Sequence, residues 1–95
     1  LLKKLPSEYM RDMFYTTQPM ERSNETLLGA TMEAISARSQ MLYASDWPHW
    51  DFDLPSVIWD LPFLDEGAKR NILGYNAARI FNLDVPERYN ALAAE

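Results

Sequence analysis

Two short apolar runs with a helical stretch between them constrain this chain more than any other feature. The first run, Met13-Phe14-Tyr15-Thr16-Thr17, is aromatic and β-branched. It stops at Gln18-Pro19, as strands stop where proline removes a donor. The second, Met41-Leu42-Tyr43-Ala44, has no polar alternation, the pattern of a strand buried on both faces. Between them Leu28, Met32 and Ile35 recur at helical spacing, with Leu27 and Thr31 beside that face. Ser23 or Asn24 can cap the start, and Arg38 near the end suits the helix dipole. Strand, helix and strand in this order imply a parallel pair joined by a right-handed crossover.

Around this unit the chain reads as helix and loop. Pro6 to Asp12 can form one or two helical turns with Ser7 as N-cap, and Glu8 and Arg11 lie one turn apart as a surface pair. Trp47 to Pro55 is a proline-bounded loop dense in aromatics and acids. The strands fall at about 13–17 and 41–45, and the helices at about 25–37, 55–61, 66–73 and 76–82. Asp65 caps the third of these helices, Gly74 interrupts it and Asn76 caps the next turn. Asn82-Leu83 reads as a left-handed C-cap with its hydrophobic contact, and Pro86 to Ala94 as a helical tail. The fold class is therefore α/β. Two parallel strands leave two open edges and do not close a domain in 95 residues. The expectation is a segment of a larger barrel or sheet, completed by the same polypeptide or by other copies of this chain. A first residue other than methionine suits a piece of a longer chain.

Composition removes whole classes of function. The net charge of −5 offers no basic patch for nucleic acid. No apolar run is long enough to span a bilayer, and Leu1-Leu2-Lys3-Lys4 runs into Pro6 without a leader's apolar core. With no cysteine there is no disulfide, thiolate metal site or cysteine nucleophile. The expected location is the cytoplasm. The three glycines are isolated, so no phosphate-cradling loop exists, and Ser45 has no histidine base at nucleophile-elbow spacing.

The candidate chemistry sits after the second run. In a β/α barrel the active site lies at the C-terminal ends of the strands, and Asp46 follows such an end directly. A carboxylate there can hold a divalent metal or take a proton from metal-bound water. Position alone favours a humbler role, capping the Asp-x-Pro turn. His49 could line the pocket mouth, orient Asp46 or meet an anionic substrate, although a loop histidine bonded to a backbone carbonyl is the simpler reading. Trp47, Trp50 and Phe52 serve equally as an apolar wall for an unsaturated acid or as packing for the loop. Asp51 and Asp53 form an acidic cluster with Asp46 that could hold a hard cation, but the spacing lacks the glycine and distal glutamate of a calcium loop. They read as a solvent-exposed acid and a helix cap.

Ser45-Asp46-Trp47-Pro48-His49-Trp50-Asp51-Phe52-Asp53 resembles the loop after the last barrel strand in the amidohydrolase-related family of metal-dependent hydrolases and decarboxylases. The resemblance extends to Leu5-Pro6-Ser7-Glu8-Tyr9, to Thr16-Thr17-Gln18-Pro19 and to Ile72 through Phe81, in the family's order. It implies a (β/α)8 TIM barrel with Met13–Thr17 as the seventh strand and Met41–Ala44 as the eighth. It also implies that Asp46 is the metal-site aspartate, both ligand and proton acceptor. The implied cofactor is a divalent metal, zinc or alternatively manganese, and the implied partner is a small carboxylated substrate. The family's remaining ligands are histidines on earlier strands, among them a His-x-His pair, and none lies in these 95 residues. The complete protein is then an enzyme and this chain alone is expected to be inactive. The competing expectation is a non-enzymatic, self-associating module, a homo-oligomer whose exposed strands pair between copies.

Overall fold

The structure is a computed structural model and describes residues 1–90. A short helix, α1 (Pro6–Arg11), leads into strand β1 (Tyr15–Thr16). Helices α2 (Glu25–Ala34) and α3 (Ala37–Gln40) then return the chain to strand β2 (Met41–Leu42). The strands pair in parallel, Tyr15 opposite Met41 and Thr16 opposite Leu42. Both residues of β2 are buried, as its unbroken apolar run requires.

Both strands are shorter than their apolar runs because the bonds beyond the ladder come from elsewhere. The Met13 carbonyl accepts from the Gln40 side-chain amide at 3.2 Å. On β2, the Ala44 N–H donates to the Thr17 hydroxyl at 3.1 Å. The Tyr43 N–H donates to the Ile72 carbonyl at 2.8 Å. Peptide groups alternate sides along a strand. Since Thr17 N–H donates to the Leu42 carbonyl, the Met41 carbonyl and the Tyr43 N–H face away from β1. That outer edge is therefore covered, and only β1 keeps an open side among the described residues.

The helix expected over 25–37 divides in two. Asn24 is its N-cap, accepting from the Leu27 N–H at 2.9 Å. Ser36 takes a left-handed φ of 56° and separates α2 from α3. At the N-terminus Leu5, not Ser7, is the cap residue of α1, and Pro6 occupies the first turn. Glu8 and Arg11 do not pair. The Glu8 carboxylate accepts from the Leu5 N–H at 2.7 Å, and Arg11 donates to the Ala34 carbonyl at 3.2 Å.

After β2 comes a short helix, α4 (Ser56–Trp59), then α5 (Glu66–Arg70), a π-helical turn over Asn71–Tyr75 and α6 (Asn76–Ile80). Asp65 caps α5 through the Ala68 N–H at 2.8 Å. The three last pieces form one unbroken helix, because Arg70, Asn71, Tyr75 and Asn76 all hold right-handed helical dihedrals. Gly74 therefore does not interrupt, and Asn76 is not a cap. Asn76 is fully buried. Its amide donates to the Arg38 carbonyl at 3.0 Å and to the Met41 carbonyl at 2.9 Å. Arg79 completes the clamp, donating to the Asn76 side-chain oxygen and to the Ser39 carbonyl. The helix stops at Asn82 with a φ of 52°, and the Leu83 N–H bonds back to the Ala78 carbonyl at 2.8 Å. This six-residue bond is the Schellman arrangement. A last turn, α7 (Glu87–Asn90), covers the first part of the anticipated helical tail, and the rest of that tail lies outside the described residues.

The core gathers Met32, Ala37, Met41, Ile58, Leu61 and Ile72 between the sheet and these helices. Ile58, Leu61 and Ile72 are wholly buried, and each contributes about 1.5–3 kcal/mol by leaving water. The loop between β2 and α4 is thereby anchored at both ends by buried residues.

A candidate metal centre where strand β2 ends

Asp46 stands four residues beyond Leu42, where the chain leaves the sheet. Its φ of 59° is left-handed, a conformation that aspartate tolerates better than most residues. The His49 N–H donates to the Asp46 carbonyl at 2.8 Å and closes a tight turn around the cis Trp47–Pro48 peptide. The backbone, not the carboxylate, closes that turn. The Asp46 carboxylate faces His49 instead, with Oδ2 at 3.6 Å from Nδ1.

His49 Nδ1 is hydrogen-bonded to the Asp51 carboxylate. It is not bound to a backbone carbonyl, which corrects the simpler reading of this loop histidine. The bond to Asp51 raises the His49 pKa above its ordinary value, and the Asp51 charge adds to the effect. The same bond holds the Asp51 carboxyl below its ordinary value. Asp51 is thus a partner of the imidazole and not a free surface acid. One ligand atom each from Asp46, His49 and Asp51 lies within 4.8 Å of the others. Two carboxylate oxygens and an imidazole nitrogen suit zinc or manganese, and three protein donors leave a position for water or substrate. The donor chemistry therefore fits a divalent cation.

The aromatic residues divide. Trp47 and Phe52 meet edge to face with ring centres 4.8 Å apart, so both help to pack the loop. Trp50 is 86% exposed and only tilts towards the His49 ring at 6.1 Å. Trp47 also keeps most of its surface exposed. Asp53 does not cap α4, whose cap residue is Pro55. Its carboxylate crosses to the exit of β1, as does the Gln18 side chain in return. The sequence favours a surface acid at Asp51 and a helix cap at Asp53, whereas the structure bonds the first to His49 and the second to the Met20 N–H. The His-x-Asp spacing of His49 and Asp51 was the available signal for the first. No local pattern marks the second.

A family model described as amidohydrolase matches residues 1–83. The chain belongs to the amidohydrolase family, as its loop and strand motifs led us to expect. That membership points to an enzyme of the hydrolase type, and the family generally binds divalent metals. A search of curated proteins finds no match. No helix among the described residues is long and apolar enough to cross a membrane.

Proposed function

We propose that this chain is the C-terminal β-α-β-α portion of a (β/α)8 barrel that hydrolyses or decarboxylates a small carboxylated substrate. The observation that carries the reading is the position of Asp46. It follows the second strand of a parallel pair, at the end where barrel enzymes hold their chemistry, and it faces a second and a third donor. Further strands would join at the open side of β1, and closure of the barrel would also require the outer edge of β2 to exchange its bonds to Ile72 and Asn76 for a first strand.

A zinc or manganese ion bound here would acidify a water molecule and polarise a substrate carbonyl or carboxylate. Asp46 is half-exposed, and the carboxylate oxygen not given to the ion would accept the proton of the water. In this reading His49, Trp47 and Trp50 line the mouth, with the tryptophan faces meeting the unsaturated or apolar part of the substrate.

Asp46→Asn in the full-length protein tests the assignment. Asparagine tolerates the left-handed backbone, so only the charge is lost. Turnover should fall by about 10²-fold or more, with bound zinc falling in parallel by elemental analysis. Unchanged turnover overturns the role given to Asp46.

A second reading is favoured by the exposed apolar surface, which includes Leu2, Met13, Phe14, Trp47 and Trp50. On that reading the chain is an inactive module that self-associates through the open side of β1. The two readings differ in metal content, which is stoichiometric in the first and absent in the second.

A further inference from the structure

The geometry points to Asp53 as a positioning residue that locks the Asp46-bearing loop onto the exit of β1. This inference rests on the reading of Asp46 as a metal ligand. Four bonds converge at the foot of the loop. The Asp53 N–H donates to the Ser45 carbonyl at 2.9 Å, which closes the loop's neck. The Tyr43 hydroxyl donates to the Asp53 carbonyl at 2.6 Å. The Asp53 Oδ2 accepts from the Met20 N–H at 3.2 Å. The Gln18 side-chain amide donates to the Asp51 carbonyl at 3.0 Å.

The first two bonds tie the end of the loop back to its start, just after β2. The last two tie it to the segment just after β1, 33 residues away in sequence. Pro19 has no N–H, so Met20 offers the next amide after the strand exit, and Asp53 satisfies it with a charged acceptor. Asp53 is therefore bound at its backbone to the segment just after β2, through Ser45 and Tyr43, and at its side chain to the β1 exit. The donors of Asp46, His49 and Asp51 sit between Ser45 and Asp53, so their spacing depends on both anchors. A group that orients ligands without touching the metal commonly changes affinity by about 10–100-fold when it is lost.

The test measures zinc affinity by chelator competition on the full-length protein, well below its melting temperature. Asp53→Ala should weaken zinc about tenfold. Asp53→Asn keeps an acceptor for the Met20 N–H and should stay within about threefold of the parent, since only the charge assistance goes. Hydrogen exchange at the Met20 amide should rise in Asp53→Ala and stay slow in Asp53→Asn. Tyr43→Phe removes a separate bond to the same residue and should also weaken zinc, which keeps the test intact if Asp53→Ala does not fold. Asp46→Asn serves as the reference. If it loses zinc while Asp53→Ala and Tyr43→Phe bind as the parent does, Asp53 has no positioning role. Equal losses in Asp53→Ala and Asp53→Asn also overturn it. If Asp46→Asn keeps zinc, the reading of Asp46 itself fails, and Met20 exchange still reports whether the Asp53 link exists.

Discussion

Single residues in this chain take the backbone shapes that their chemistry tolerates. Asn82 ends its helix in a left-handed conformation, and asparagine before a leucine is a readable signal for that. Ser36 takes the same conformation with no such signal, since serine seldom does so. Asp65 couples a cap to an ion pair. The Ala68 N–H holds its carboxyl below the ordinary range, and Arg38 at 2.8 Å adds to this. A lowered folded pKa gives stability that is present above the unfolded pKa and lost as pH falls through the folded one. Asp65→Asn keeps a capping oxygen without the charge. We expect its melting temperature to lie slightly below the parent's near neutral pH and to converge with it as pH falls below about 4. A gap that stays constant across that range excludes the coupling.

At the scale of elements, the helix over Glu66–Ile80 organises the rest. Asn76 satisfies two carbonyls where α3 meets β2. Asn76→Ala leaves both without this donor, one of them fully buried, and should cost about 2–4 kcal/mol in denaturant unfolding. Asn76→Asp should cost more, because it sets an acceptor against acceptors. Gly74 behaves differently. It lies inside the same helix with no positive φ, and a Cβ there meets nothing within 4 Å. Gly74→Ala should therefore stabilise by about 0.5–1 kcal/mol. Gly29 makes the contrast, since its Cβ would lie 3.3 Å from Phe63. The gain from Gly29→Ala should be smaller in the same melt. Both helix interruptions expected from the sequence, at Gly74 and Asn76, rest on local preference. A weak local break of about 1 kcal/mol yields to the burial of Ile72 and the bonds of Asn76.

Across the whole molecule, surface exceeds what a compact chain shows. The accessible area is 6926 Å², against about 5,600 Å² for a compact monomer of this mass. The radius of gyration is 14.2 Å, against about 12 Å for a compact chain of this length. The difference of about 1,300 Å² exceeds the roughly 800 Å² that each partner gives to a standard interface. Part of it is apolar, at Leu2, Met13, Phe14 and Trp50. We expect the 95-residue chain alone to sediment above its 11.0 kDa mass, with association strengthened by salt, as apolar contacts require. A monomer at high concentration and high salt would exclude the self-associating reading.

The sequence by itself determined the order of elements, the parallel pairing and the candidate Asp46, because these depend on periodicity, proline stops and a residue's place after a strand. The caps at Asn24, Asp65 and Asn82 were legible for the same reason, since each acts within a few residues of itself. Tertiary structure alone decided that one edge of the sheet is covered, that Asn76 is buried, that Asp51 holds His49 and that Asp53 reaches Met20. Those bonds join residues near in space and far in sequence, or they turn on which of several acids a loop directs inward. No local pattern records which partner a side chain will find once the chain has closed around it.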